Sequence, residues 1–553
     1  MPATSMDAVD AAVARVAATK DAWTKVPIAD RVRYLETILE GVLAVSEGWV
    51  ADICKLKGLT PDDPRTGEEW VAGPMVTVRN VKLLIKALEA GGAPKPPKMT
   101  TRADGRQVAT VFPASLLERA MQPGIRAEVW IERGKPASQG RAYRESTGHG
   151  KVALVLGAGN VSSIPPMDLL YKLFVENEVV VLKMNPVNAA VGPHLEKAFK
   201  CLIDEGFLAI VYGGADVGAH LSNHPSVDTL HVTGSDKTYD AIVWGTDPEE
   251  RARRKAAKDP KNTRPFSSEL GCVSPLFVVP GPWSDADMDY HARNVASMVA
   301  QNASFNCNAA KVLVLPKGWI LRETFLKKID AALADTKARK AYYPGAEDRY
   351  RGFLEHYPKA RPLGPSNPGV VPWTVIPDVP ADAKEYALNN EAFCGVLAQV
   401  TLGSDDPATY LREAVAFANE SIWGTLSCSM LIHPTTQRDF AAAFDTAIAD
   451  LRYGGIGVNC WAAFVYALVS TTWGAFPGHP PEDIRSGTGV VHNTFLFDHP
   501  EKSVVYAPFR MRMTPAYFAD HKTLDRLGRA GMNLEAHPTF GGLVDAALAA
   551  MKG

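Results

Sequence analysis

VALVLGAGNVSSIPPMDLLYKLFVENEVVVLKMN, residues 152–185, is the stretch that decides the fold. It opens and closes on short runs, VALVL and VVVLK, that are apolar at nearly every position, and between them lies the helical segment MDLLYKLFVENE. Runs of this kind suit strands buried on both faces, and their alternation with helices suits a parallel sheet covered on each side. The pattern continues with the helical HLEKAFKCLIDEG, the strand LAIVYGG, a short helical AHLSNH and the strand TLHVTGS. Residues 149–270 therefore read as a doubly wound α/β unit, whose ligands belong at the carboxyl ends of the strands.

On the amino-terminal side, residues 7 to about 92 carry apolar positions at helical spacing, among them Val13, Val16, Trp23, Leu35, Ile38 and Val42. The cluster GGAPKPPK at 91–98 breaks that pattern, and short strand-like pieces, QVATVF and AEVWIE, follow. On the carboxyl-terminal side, 246–263 is a charged insertion that reads as a solvated surface excursion rather than a phosphate-binding patch. SPLFVVP, KVLVLP and VVPWTVIP then supply strands between helical stretches at 285–304 and 321–336, which makes a second α/β layer. The tail from Thr514 to Gly553 reads as polar and helical.

With 553 residues, three to five structural units are expected. Hydrophobic residues at 46% and charged residues at 22% give a globular chain with ample core material. Lys and Arg total 59 against 61 Asp and Glu, so the electrostatic footprint of a nucleic-acid binder is missing. The start lacks the basic and apolar regions of a secretory signal, and the longest apolar run, 460–477, is too short and polar to span a bilayer, so a cytoplasmic protein without a membrane span is expected. Seven scattered cysteines form no CxxC pair, which argues against a disulfide framework or a zinc site; no metal is expected. The GxSxG, HExxH and GxxxxGK[ST] patterns are absent, removing several hydrolase and phosphate-binding classes.

The informative residues sit at the ends of the apolar runs. GAGN brings Asn160 to a strand end, KMNP does the same for Lys183, and VTGS for Thr233, Gly234 and Ser235. SSELG offers Glu269, NASFNCNAAKVLV offers Cys307 in a polar, small-residue segment, and NNEAFCGVLA offers Glu391 and Phe393. In motif order, spacing and strand context, these sites resemble the aldehyde dehydrogenase superfamily over about 145–510.

The resemblance implies a Rossmann-like nucleotide-binding domain (1–125 and 149–270) and an α/β catalytic domain (271–487). A bridging β oligomerisation element (126–148 and 488–512) and a C-terminal tail (513–553) complete it. It implies Cys307 as nucleophile, Asn160 with the Cys307 amide as oxyanion donors, and Glu269 as the base that activates water. Lys183 would bind the adenosine ribose of NAD or NADP, Gly234 and Ser235 would open a helix toward the pyrophosphate, and Glu391 with Phe393 would hold the nicotinamide ribose and ring. The expected reaction is NAD(P)-dependent oxidation of a small-molecule aldehyde to a carboxylic acid through a cysteine thioester. The expected assembly is a homodimer or homotetramer, completed by an edge strand from 494–509 added to a partner's sheet.

Four positions depart from the family pattern. Pro186 stands where an acid often grips the ribose hydroxyls, which leaves NAD against NADP open; Tyr239 and Cys272 replace glycines, and Phe305 precedes the nucleophile in place of a glutamine. Two other functions fit part of this pattern. A CoA-acylating aldehyde dehydrogenase, or acyl-CoA reductase, would resolve the thioester with a thiol, but such relatives generally lack the base that Glu269 matches. A catalytically silent binding homologue conflicts with the joint presence of Cys307, Asn160, Glu269, Lys183 and Glu391. Trp461, Phe464, Tyr466, Trp473 and Phe476 read as core before they read as a substrate tunnel.

Overall fold

A computed structural model describes every residue except 146, 147 and 366. The stretch 152–185 supplies the centre of a six-stranded sheet. Its parallel strands are β1 (Val152–Leu156), β2 (Val179–Lys183), β3 (Leu208–Val211), β4 (Thr229–Gly234) and β5 (Phe266–Leu270). They lie in the order β5-β4-β1-β2-β3, so the chain winds outward from β1 in both directions. The short strand Gly487–Thr488 adds antiparallel to β5. The crevice where the winding reverses, between β1 and β4, is where such sheets take a ligand.

β1 and β2 are buried along their whole length, as uniformly apolar strands require. Helix α1 (Ile164–Phe174) packs across them with Pro165 and Pro166 in its first turn, where the missing N–H groups cost nothing. Helix α2 (Asp236–Trp244) follows β4 directly, capped by the Ser235 hydroxyl, which accepts from the Thr238 N–H. The charged insertion forms the helix Pro248–Ala257, with no buried residue.

The second half builds most of an eleven-stranded sheet. Its seven central strands are parallel and run, in spatial order, Pro500–Tyr506, Gly455–Val458, Ser427–Leu431, Pro275–Val278, Val312–Pro316, Val396–Leu402 and Thr374–Val379. Antiparallel strands flank this block: Arg126–Ile131, Gln107–Phe112 and Lys98–Thr101 on one side, Arg361–Pro362 on the other.

Two features differ from the sequence reading. Residues 98–112, grouped there with the nucleotide-binding half, hydrogen-bond into the larger sheet through Arg126–Ile131. The strand Pro500–Tyr506, expected to complete a partner's sheet, is flanked on both sides by strands of its own chain, so its edges are already paired. The exposed strand at that end of the sheet is Lys98–Thr101. Part of the expected bridging element, residues 146 and 147, lies outside the described residues.

The first 90 residues are helical, chiefly Met6–Trp23, Ile28–Lys57 and Val76–Glu89. The tail forms two helices, Leu524–Ala536 and Phe540–Met551, the first of which packs Gly528 against Trp70. Among the described residues no helix is long and apolar enough to cross a membrane, and no group of three or more His, Cys, Asp or Glu side chains is arranged to hold a metal.

Candidate active site

The nucleophile segment begins with a tight turn. Asn302, Ala303 and Ser304 all have positive φ, near 55°, 55° and 68°, a conformation that non-glycine residues adopt only when held. The hold comes from the amino-terminal helical region. Lys57 donates to both Glu69 carboxylate oxygens and to Asn302 Oδ1, each at 2.8 Å. Glu68, clamped by Arg339 at 2.6 and 2.8 Å, accepts from the Asn302 N–H at 3.1 Å. All five side chains are buried, so each charge has its partner where an unpaired one would be costly.

That turn delivers Cys307 beside Glu269, and the two groups act directly on each other. Glu269, at the end of β5, is 3% exposed, and its Oε1 has no hydrogen-bond partner. Burial, with Asp168 and Glu391 nearby, pushes its pKa up to about 8, against the opposing pull of contacts with Cys307 and Trp473. The Cys307 thiol is raised well above its usual range by burial and by the Glu269 carboxyl, with Lys311 pulling the other way. Near neutrality both groups therefore hold their protons, and Glu269 becomes a proton acceptor as pH rises through about 8.

Asn160, the residue after the β1 turn, is buried, and its amide nitrogen donates to the Phe305 carbonyl at 3.0 Å, aiming it at the nucleophile segment. Its own carbonyl accepts from Asn302 and Tyr342 at 3.1 and 2.9 Å. Asn160, Glu269 and Cys307, distant in sequence, thus converge on one buried place. Glu391 joins them: a Cβ at Gly271 would fall 2.0 Å from its Oε2, so only glycine allows the carboxylate to lie there. Glu391 pairs with Lys311 at 3.2 Å, and burial, only partly offset by that lysine, raises its pKa. Phe393 packs edge-on against Tyr343, with centroids 5.1 Å apart.

The remaining expected residues sit apart from this pocket, along the carboxyl ends of the strands. Lys183 ends β2, buried enough to lower its pKa despite Asp216. Gly234 and Ser235 are exposed at the start of α2, and a Cβ at Gly234 would meet nothing closer than Val232 at 3.6 Å. A dinucleotide fits this arrangement: a strand-end lysine for a ribose, an open helix amino terminus for phosphates, and a carboxylate and aromatic ring bordering the nucleophile.

Sequence reasoning missed Lys311. It is buried and donates to the carbonyls of Asn306, Cys307 and Ala309 at 3.0, 3.1 and 3.3 Å, fixing the loop while placing a positive charge near the thiol. Its signal was a lysine abutting the apolar run VLVLP. Of the aromatic candidates, Trp461 and Trp473 are core, whereas Tyr466 is half-buried and bonds Ser163 at 2.9 Å beside the site.

A cysteine and a carboxylate thus meet at a buried place in a layered α/β architecture, and this arrangement can be set beside known proteins. Residues 160–347 match the model of the aldehyde dehydrogenase family. A putative aldehyde dehydrogenase of Staphylococcus aureus (strain MSSA476) is 31% identical over 158 residues, covering 28% of this chain and 29% of that protein. An N-succinylglutamate 5-semialdehyde dehydrogenase of Sphingopyxis alaskensis is 26% identical over 294 residues, 53% of this chain and 49% of that one. The alignment spans about a third of the length of the first curated relatives. The fold matches a crystal structure of an NAD-dependent aldehyde dehydrogenase from Sinorhizobium meliloti with a TM-score of 0.61 at 19% identity, covering 93% of this chain and 89% of that one. It matches lactaldehyde dehydrogenase from Escherichia coli with a TM-score of 0.60 at 15% identity, covering 92% of each. The chain has the aldehyde dehydrogenase fold, and the family match within it supports its membership of the aldehyde dehydrogenase superfamily.

Proposed function

We propose that this chain oxidises a small-molecule aldehyde to a carboxylic acid with NAD or NADP, through a thioester on Cys307. The observation that carries the reading is the Cys307–Glu269 pair, a nucleophile and a base in mutual contact in a buried pocket that Asn160 also borders.

Cys307 gives up its proton to solvent and attacks the aldehyde carbonyl as the thiolate, regaining a proton when the thioester is hydrolysed. The hemithioacetal oxygen then develops negative charge, which the Asn160 amide and the Cys307 N–H stabilise. A nicotinamide dinucleotide, when held there, would supply the acceptor for the hydride that leaves this carbon. Glu269 takes a proton from a water molecule, which attacks the thioester and frees the acid. Lys183, Gly234, Ser235, Glu391 and Phe393 hold the cofactor, and Lys311 keeps the nucleophile loop in place.

Hydrolysis is favoured over transfer to CoA because Glu269 is buried beside the thiol with its pKa near the working range, which is what activation of a poor nucleophile such as water requires. Replacing Cys307 with Ala is expected to abolish NAD(P)H formation from any aldehyde while leaving nucleotide binding, followed by nicotinamide fluorescence, intact. Retained turnover in that variant would sink the proposal. The serine variants of Cys272, Cys394 and Cys460 serve as controls and are expected to be far milder.

A further inference from the structure

Glu269 lies at one end of a polar stripe that a buried sheet would not ordinarily contain. Along β4, Thr229, His231 and Thr233 alternate with Leu230 and Val232 and so share one face. Along β5, Ser267 and Glu269 share the same face, paired directly with His231 and Thr233. Helix α1 lays Asp168 and Lys172, one turn apart, over these strands.

Hydrogen bonds link Asp168, Thr233, His231 and Ser267 within this layer and stop short of Glu269. Thr233 Oγ1 donates to Asp168 Oδ2 at 2.9 Å, and His231 Nε2 lies 3.4 Å from that oxygen and 3.2 Å from Thr233 Oγ1. The other ring nitrogen, His231 Nδ1, bonds Ser267 Oγ at 2.9 Å. Asp168 and His231 are 1% and 2% exposed, whereas Ser267 is half-buried. Ser267 lines an open cavity of about 770 Å³ at the amino ends of the strands, together with Lys172, Glu178 and Thr229. At the inner end, Asp168 Oδ1 and Glu269 Oε1 are both buried without a hydrogen-bond partner, and the Asp168 charge acts on Glu269.

The proposed reaction gives this stripe a task. Aldehyde, NAD(P)⁺ and water become carboxylic acid, NAD(P)H and one proton, and the proton that water yields is taken up by Glu269. Because Glu269 is buried, it must shed that proton to bulk solvent once per turnover.

Resting on the reading of Glu269 as the deacylation base, we propose that Asp168, His231 and Ser267 form a proton path from Glu269 to the cavity at the amino ends of the nucleotide sheet, opposite the strand ends where the cofactor is held. The proton leaves the Glu269 carboxyl by way of a water molecule between it and Asp168, whose facing oxygens are both unpaired, and passes from Asp168 to His231 Nε2. The imidazole releases its Nδ1 proton to Ser267 and thence to solvent, so no bond other than to hydrogen is made or broken. The groups that face Glu269 are Asp168 from α1, Thr233 from β4, Cys307 and Glu391 from their loops, and Tyr466 and Trp473 from the segment between them and the tail. Those that face Asp168 include Lys172, whose own partners are Glu176 and Glu178. Asp168, His231 and Ser267 are positioning and proton-transfer residues that act through Glu269, not on the aldehyde.

The test uses the full-length His231→Gln, Asp168→Asn and Ser267→Ala variants, the last as the mildest for folding, with melting curves confirming that each is folded. In rapid-mixing experiments, His231→Gln is expected to give the wild-type burst of NAD(P)H and a steady-state rate lower by roughly tenfold, less than the 10² to 10⁴ of losing the base itself. Added imidazole should restore part of that rate, and the solvent deuterium isotope effect should rise. A second arm needs no substrate: in Asp168→Asn the removed charge lets Glu269 ionise at lower pH, and the Glu269 charge holds the thiol protonated, so the inflection of Cys307 alkylation by iodoacetamide should move to higher pH. An unchanged steady state in His231→Gln, or a loss that falls equally on burst and turnover and ignores imidazole, would overturn the path. If the wild type gives no burst with any aldehyde, the functional reading itself has failed. The alkylation arm then decides alone, and an unmoved profile in Asp168→Asn overturns the coupling.

Discussion

β1 and β2 on one side of the nucleotide sheet and β4 and β5 on the other occupy equivalent positions in the winding but are made differently. The first pair is apolar on both faces, VALVL and VVVLK, and fully buried. The second pair alternates, yet its polar face, Thr229, His231, Thr233, Ser267 and Glu269, is turned inward under α1. Alternation in a strand usually marks one solvated face. Here the polar face is covered and satisfied mostly by its own members, so the apolar pair offers polar groups only at and beyond its carboxyl ends, Lys183 and Asn160, whereas the alternating pair carries them along its length.

Substitutions should separate the two pairs. Leu154, 0% exposed in β1, is expected to lose about 2–5 kcal/mol of stability on change to Ala, measured by denaturant unfolding, with no selective effect on catalysis in the folded fraction. A loss below about 1 kcal/mol would mean that β1 is not the packed centre described.

Glu269→Gln should do the reverse and stabilise. In the unfolded chain this carboxyl ionises near 4.5, while in the folded protein burial holds it neutral until about pH 8. Ionisation therefore favours the unfolded state increasingly as pH rises between those values, a loss the glutamine variant escapes. The gain should be absent below about pH 4.5 and reach on the order of 3 kcal/mol at pH 7. A stability difference that does not vary over pH 4.5–8 would show that Glu269 is not held neutral.

Smaller effects sharpen the boundary of the site. Lys311→Met removes the one cation that lowers the Cys307 pKa among its principal neighbours, so Cys307 alkylation should slow roughly three- to tenfold at pH 8. An unchanged rate would leave Lys311 a purely structural group. At the exposed strand end beyond Lys183, Pro186→Asp should lower NADP use relative to NAD by a few-fold, about 1 kcal/mol, through repulsion of a 2′-phosphate. Equal use of both cofactors by that variant would show that the 2′ group lies elsewhere.

The same contrast explains what could be read from the sequence. β1, β2 and β3 announce themselves by apolar runs bounded by glycine and helical segments, and Ser235 is legible as a helix cap because it follows a strand and a glycine. Asn160, Glu269 and Cys307 were found by resemblance in motif order, and their convergence depends on contacts between distant residues, Asn160 with Phe305 across 145 positions and Cys307 with Glu269 in a separate motif. Asp168, His231 and Lys311 left only faint traces, single polar residues inside apolar stretches, because nothing local says whether such a residue faces solvent or a buried partner. The pairing of Pro500–Tyr506 within its own chain was not legible either, since an edge strand and an interior strand of this length carry the same alternation of residues.

The central claim is that Glu269 resolves a thioester on Cys307 with water, and rapid mixing of Glu269→Gln with aldehyde and cofactor tests it most directly. The account predicts a burst of one equivalent of NAD(P)H per site followed by a stall, with steady-state turnover down by roughly 10² to 10⁴ and no recovery when CoA is added. An unchanged steady-state rate without CoA, or resumed turnover with release of acyl-CoA, would contradict it.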